Sequence, residues 1–491
     1  MIKRWSVPGI PFAVSLCLSL ATVGSHPFWQ DSGIYLTAVK ELGVLYPPGF
    51  VLYEVLCFLW TKVFFFIDFT VAVHLFSSVC AALAAATTAT ATRDLLRSRG
   101  KIFQVTPADP GPAADGPAIL AGVLLAGGFT FWSTAIYAKG YTFYYLVLAL
   151  LLRWMIRADE SGRRRDFLIT AGLIGLSWQA HPSATLIGAA FVLFTAVHAR
   201  SMGGKGIALG TAVAAACALG PSLLLHPILL ARDPWLVFGR PEGISGYVRY
   251  FLGMRFVGSH GTFGVDGTRV LSFFRYLWED SLGVGLLFMV VGMLRIGHQN
   301  RRLVIGILAW LVPYAVITIL FKIEGQHDCW FVAARLPLSL AVGVGAWHLA
   351  AHLAPRGGAM LAAAGLVATA WAGVANYRDV TQRDYRLAEH YGRIIIGSVD
   401  PNAIVILSGD DSNALASYLH RVRGERPDVV LVIGSFLQSG WYDQDLVRRN
   451  PGLVLPDYGG LRAKFPAVET KPLAAAAFIN ANAGVRPIFS E

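Results

Sequence analysis

The sequence predicts an all-α polytopic membrane domain of about eleven spans over residues 1–376 and a small C-terminal α/β water-soluble domain over 377–491. Three observations carry that expectation. The 491-residue chain is 55% hydrophobic and only 14% charged, against roughly a quarter charged in soluble domains. Apolar runs of roughly 17–25 residues, long enough to cross a bilayer as helices, recur along most of the length. They are continuous, whereas the strands of an outer-membrane barrel would alternate in short segments. After Asn376 the composition turns water-soluble, and "AIVILS" and "DVVLVIG" read as short buried strands flanking a helix over Ser412 to Arg423.

The net charge of +11 does not point to nucleic acid, because the basic residues collect in short loops. Lys3 and Arg4, Arg93 to Lys101, Arg157 to Arg165, Arg200 and Lys205, Arg295 to Arg302, and Arg356 form such groups, and loops of this kind stay cytoplasmic. The five cysteines show neither metal spacing nor a disulfide framework. The N-terminus reads as an uncleaved signal anchor.

The basic loops fix a map. Span one covers about 6–24, inside to outside, which places Ser25 to Thr70 outside. Within that loop "PPGFVLYEVLCFLWTKVFFFI" is apolar enough to resemble a span. Crossing there would invert every later loop, so it is read as a surface-lying or re-entrant helix started by Pro47 and Pro48. Later spans fall near 71–92, 117–137, 141–156, 167–180, 183–198, 206–229, 281–297, 303–321, 335–353 and 358–375.

The polar stretch "WQDSGIYLTAVKELGVLYPPGFVLYEVL" then sits beside the first span, facing outside. A carboxylate at that surface, Asp31, is placed to act as general base toward an acceptor hydroxyl attacking an activated sugar carbon. If the leaving group is a polyprenyl phosphate, cations should cradle it. Outer cations are available at Lys139, Arg240, Arg249, Arg255, Lys322 and Arg335.

Specific motifs sharpen this reading. "DSGIYLTAVKELGVLYPPGFVLYEVL" resembles the opening signature of multi-span proteins related to protein O-mannosyltransferases, usually an Asp-x-Gly-Glu start and an "HPPG" run. "FWSTAIYAKGYTFYYLVLALLL", "GLSWQAHPSATLI", "FGRPEGISGYVRYFLGMRF" and "ILSGDDSNALASYLHRVRGERPDVVLVIGSFLQSGWY" resemble later segments of that family, in order. The family belongs to the GT-C glycosyltransferases. The resemblance implies a GT-C-like fold, an inverting transfer of a hexose, plausibly mannose, from a polyprenyl-phosphate donor, and a protein or glycolipid acceptor at the outer face. It implies a catalytic Asp31, donor-phosphate contacts from Arg240, Arg255 and Lys139, and a substrate pocket including Tyr35, Tyr46 and His181. No metal or other cofactor is expected. Three positions depart from the family: Ile34 replaces its second acidic residue, Tyr46 the histidine of "HPPG", and Lys139 a glutamate.

Each residue also has a plainer reading. Asp31 would cap the helix "SGIYLTAVKEL", Lys139 would snorkel from a span end, His181 would end a helix before Pro182, and Arg240 and Arg255 would meet lipid headgroups. Gly409-Asp410-Asp411 reads as an N-cap with a charged first turn. The alternative functions are a transporter or flippase of a lipid-linked sugar and a catalytically inactive membrane scaffold. The expected location is a bacterial inner membrane, with the C-terminal domain outside the cytoplasm.

Overall fold

The structure, a computed structural model, describes residues 5–47, 50–105, 111–254, 262–264, 266–322, 327–351, 356–460 and 470–491. Helices dominate. α1 (Ser6–Thr22) leads into a loop that carries α2 (Ser32–Glu41) and α3 (Val51–Val63). α3 has 13 residues, a length of about 20 Å that falls short of a bilayer core. α4 (Phe69–Arg97) starts at Asp68, whose carboxylate accepts from the Thr70 and Val71 N–H groups at 2.9 and 3.2 Å.

α5 (Asp115–Gly127), α6 (Phe129–Thr134), α7 (Tyr141–Ser161), α8 (Arg164–Ala180) and α9 (Gly188–Ala231) follow. The expected spans 183–198 and 206–229 fall largely within α9, which runs on through a kink at Gly203, φ 65° and ψ 166°. Glycine tolerates that conformation because it has no Cβ.

The segment after α9 holds α10 (Gly243–Phe251), β1 (Thr262–Phe263) and α11 (Gly267–Asp280), followed by α12 (Val284–Gln299), α13 (Arg301–Leu320), β2 (Phe321–Lys322), α14 (His327–Ala350) and α15 (Gly357–Ala375). β1 and β2 pair antiparallel, with Thr262 opposite Lys322. α11 and α12 meet at 99°. Ile244 on α10 and Leu271, Phe274 and Trp278 on α11 are exposed apolar side chains.

Five helical stretches among the described residues are long and apolar enough to cross a membrane, or six if the bent α11–α12 pair is one span. That is fewer than the eleven expected. The difference has identifiable sources. α1 and the apolar helix Gly111–Gly127 are shorter than the usual span, and 182–231 forms one helical run in place of two.

The interior of the bundle is packed through small residues. A Cβ on Gly292 of α12 would lie 1.8 Å from the Ala341 carbonyl oxygen of α14, and one on Gly345 would lie 1.9 Å from that of Phe288. Such backbone approach is how helices associate where lipid is as apolar as leucine. Thr88, Thr90 and Thr92 of α4 donate back to the carbonyls of Ala84, Ala86 and Thr88 at 2.8–2.9 Å, which satisfies hydroxyls inside an apolar bundle.

Past α15 come α16 (Tyr377–Val380), α17 (Leu387–Gly397), β3 (Ile404–Leu407), α18 (Asp410–Arg421), β4 (Val430–Ile433), α19 (Gly440–Arg449), α20 (Thr470–Asn482) and β5 (Ile488–Ser490). The three strands form a parallel sheet in the order β4-β3-β5, with Ile404 opposite both Val430 and Ile488. Both β3 and β4 are buried along their length, as expected of parallel strands covered on two faces.

Candidate active site

α2 begins at Asp31, but the Asp31 carboxylate makes no capping bond to its own helix. Its Oδ2 instead lies 2.9 Å from Lys139 Nζ and accepts from the Tyr46 hydroxyl at 3.1 Å. The Lys139 side chain is 8% exposed and that of Asp31 29%, so the pair forms the floor of a site whose carboxylate still meets solvent. The helix N-terminus adds partial positive charge beside it.

Aromatic rings surround this pair. The Tyr46 and Tyr35 hydroxyls lie 3.3 Å apart, and Tyr46 packs edge-on against Tyr35, Phe50 and Phe238. Lys139 Nζ sits 5.0 Å from the centroid of the Tyr141 ring, a cation–π distance. His181 lies 5.3 Å from Tyr141 and 5.4 Å from Tyr144, centroid to centroid. The Tyr144 and Tyr314 hydroxyls are 2.5 Å apart, and Tyr314 donates to the Ser183 carbonyl at 3.0 Å.

Burial sets the protonation states. It raises the Tyr46 hydroxyl well above the ordinary phenol value, and the Asp31 charge adds to the rise; Tyr35 shifts upward for the same leading reason. Both remain donors. Burial, followed by the charge of Lys139, lowers the His181 imidazole to about 3. His181 is therefore neutral, and its Nδ1 accepts the Ser183 N–H at 3.1 Å.

Asp31, Lys139, Tyr35, Tyr46 and His181 are thus brought together. The helix-cap reading of Asp31 gives way to an ion pair with Lys139. Ile34 is 3% exposed, buried in the core. Arg240 is held in a different network: its Nε and Nη2 donate to Asp445 Oδ2 at 3.0 and 2.8 Å, and Nη2 to Asp233 Oδ1 at 3.2 Å. Arg255 lies outside the described residues. Among the described residues no group of three His, Cys, Asp or Glu side chains is placed to hold a metal ion.

Sequence reasoning missed the C-terminal contribution. The Asp411 carboxylate of α18 accepts from the backbone N–H of Gln30, next to Asp31. His26 pairs with Glu389, and the Trp29 indole N–H with the Tyr385 hydroxyl. Arg421 bonds Glu41 at 2.5 Å, and Tyr418 meets Thr70 at 2.9 Å. A Cβ on Gly33 of α2 would lie 2.2 Å from the Ala414 carbonyl oxygen, so α2 and α18 touch backbone to backbone. The Asp410-Asp411 pair was the visible signal, but its helix-cap reading explained it locally.

The chain is similar to known proteins in sequence and in fold. Residues 31–202 match the family model of the protein O-mannosyl-transferase TMEM260 N-terminal domain. Over 475 residues the chain is 24% identical to protein O-mannosyl-transferase TMEM260 of Mus musculus, covering 87% of this chain and 62% of that protein. The chain therefore spans less than two thirds of that relative's length. Among solved structures, ArnT from Cupriavidus metallidurans bound to undecaprenyl phosphate superposes with a TM-score of 0.59 at 12% identity, covering 89% of this chain and 91% of that one. The apo state of the same protein gives 0.57 at 14% identity, with 88% and 90% covered. Fold and apolar helices together define a multi-pass membrane protein that shares the fold of those ArnT structures. In sequence, its first part is similar to the TMEM260 N-terminal family and most of its length to a protein O-mannosyl-transferase.

Proposed function

We propose that the chain is a membrane glycosyltransferase that moves a hexose, plausibly mannose, from a polyprenyl-phosphate donor to a hydroxyl of a protein or glycolipid acceptor at the outer face. The observation that carries this reading is the Asp31 carboxylate. Its Oδ2 is fixed by Lys139 and Tyr46, while the side chain remains 29% exposed beside the rings of Tyr46 and Tyr35.

In this reading Asp31 takes the proton of the acceptor hydroxyl as its oxygen bonds to the anomeric carbon. The bond from that carbon to the phosphate oxygen breaks in the same displacement, with inversion, and the electron pair leaves on the polyprenyl phosphate. Lys139 supplies positive charge beside the leaving group. Tyr35, Tyr46 and neutral His181 line the sugar pocket. An apolar cleft lined by Phe103, Leu152, Phe194, Leu303, Ile307 and Trp310, with about 440 Å³ of empty space, opens among α7, α9, α13 and α14. It starts one helical turn from Tyr314 and suits an isoprenoid tail.

The test is made in the native host with the gene deleted, restoring either the parent or Asp31→Asn at matched expression. Sugars on envelope proteins and glycolipids are profiled by mass spectrometry. A sugar that disappears on deletion and returns only with the parent supports transfer through Asp31. Full restoration by Asp31→Asn removes it.

A further inference from the structure

α11 presents three different sides. Phe273, Tyr276 and Leu277 pack against the bundle, and the rings of Phe273 and Tyr276 lie 5.1 and 6.3 Å from that of Phe331, centroid to centroid. On the same side the buried Asp280 carboxylate accepts from the Thr130 N–H at 2.7 Å, so the helix is held firmly at its end. Thr268, Ser272, Arg275 and Glu279 follow one another at helical spacing along one flank, and Arg275 Nε lies 3.6 Å from Glu279 Oε1. Leu271, Phe274 and Trp278 share the remaining side and are 71%, 61% and 59% exposed. A helix at a protein–water surface needs one apolar side; α11 has a second, turned away from the bundle.

The direction and level of α11 say what covers that second side. Phe331, against which α11 rests, opens the stretch Phe331–Ala350, which is long and apolar enough to cross a membrane. α12 lies along this stretch, with Gly292 at the Ala341 backbone and Gly345 at that of Phe288. α11 turns away from α12 at 99°, so it runs nearly square to the two helices, across their ends. Leu282 and Gly283 make the turn with φ of 50° and 62°. Trp278 covers it, since a Cβ on Gly283 would lie 3.0 Å from the indole ring. Past the turn, Val284, Leu287, Val290 and Leu294 of α12 continue the exposed apolar surface, and along a membrane-crossing pair that surface meets lipid. Tryptophan is enriched at this kind of boundary. α6, whose first turn Asp280 caps, leads to Lys139, which fixes the side of the membrane.

We propose that α11 is an interfacial helix seated in the phospholipid leaflet on the Asp31 side of the membrane. Leu271, Phe274 and Trp278 enter the acyl chains, and the flank from Thr268 to Glu279 faces the headgroups and water. This is the three-way division that a helix lying in the membrane plane beside a bundle requires, and it leaves the exposed stripe of α11 continuous with the lipid-facing surface of α12.

The test uses the full chain with the photoreactive residue p-benzoylphenylalanine in place of Phe274, reconstituted in nanodiscs of dioleoylphosphatidylcholine, irradiated, digested and read by mass spectrometry. The same label in place of Ser272 probes the polar flank, and in place of Tyr276 the bundle side. The expected result is that the peptide labelled at 274 gains the mass of one phosphatidylcholine, that labelled at 272 gains none, and that labelled at 276 joins α14 of its own chain. An unmodified 274 peptide in a sample where 276 still joins α14 overturns the proposal. So do equal lipid adducts at 272 and 274, and an adduct from 274 to a second copy of the chain, which would make the stripe a dimer face. An unlabelled measurement stands beside these. In nanodiscs of dibrominated phosphatidylcholine the parent should lose a larger share of its tryptophan fluorescence than Trp278→Phe, and equal quenching overturns the seat. Neither measurement depends on sugar transfer.

Discussion

Asp411 accepts a hydrogen bond from the backbone N–H of Gln30, although 381 positions separate them in the chain. Gln30 has φ 61°, a left-handed conformation uncommon outside glycine, and the bond holds it there immediately before Asp31. Asp411 is thus a positioning residue for the carboxylate. Asp411→Ala should lower kcat for sugar transfer about tenfold, the effect of losing one charge-assisted bond. KM for the donor should stay unchanged, and Gln30→Gly, which relieves the backbone, should restore part of the rate in the double variant. An Asp411→Ala protein with parental kcat would remove the assignment.

Lys139 and Tyr46 share one oxygen of Asp31. Lys139→Met should therefore reduce transfer by about 10²-fold, in the range seen when electrostatic stabilisers are removed, while Tyr46→Phe, which keeps the ring and loses one donor, should cost about tenfold. Steady-state kinetics of the purified variants with a polyprenyl-phosphate sugar measures both. Equal effects of the two substitutions would argue that the lysine acts only as a packing residue.

The Gly292–Gly345 seam predicts a stability effect without a change in chemistry. Gly345→Ala places a Cβ 1.9 Å from a carbonyl oxygen, so α12 and α14 must separate. The expected cost is about 1–3 kcal/mol, read as a lower thermal midpoint in detergent. Gly306→Ala, where no atom lies within 4 Å of the added Cβ, serves as the control and should leave the midpoint near that of the parent.

Asp443 predicts a pH dependence for the C-terminal segment. Burial raises its carboxyl from 3.8 to about 6, and its Oδ1 has no hydrogen-bond partner among the described residues. The folded chain then holds this proton at pH values where the unfolded chain has released it. This group's contribution is most favourable below about 4, falls as pH rises through about 6, and is constant above that. Hydrogen exchange of β3, β4 and α19 should show weaker protection at pH 7.5 than at pH 5. Asp443→Asn should flatten that difference; an unchanged slope would exclude Asp443 as its source.

The residues explain what sequence reading could reach. Apolar runs report that the chain has membrane-length helices, because each run is a local fact about solvent, but not how many: eleven were expected and five or six are long and apolar enough among the described residues. Asp31, Tyr35, Tyr46, Lys139 and His181 were legible through short motifs. What joins distant segments was not: nothing near Arg240 tells that Asp445 and Asp233 will take its guanidinium, and nothing near Asp411 points to Gln30. Gly203 shows the same limit within one element, since a glycine that ends one helix and a glycine that merely bends a longer one look alike in sequence.

The bond from Asp411 to Gln30 also orders events during synthesis. Ribosomes add about 5–20 residues per second, so the loop bearing Asp31 exists for roughly 20 to 80 s before α18 has been made. Throughout that interval Lys139 and Tyr46 can already meet Asp31, but the backbone of Gln30 lacks the carboxylate that holds its left-handed conformation. The geometry of the loop before Asp31 is thus completed only when the C-terminal segment has been made.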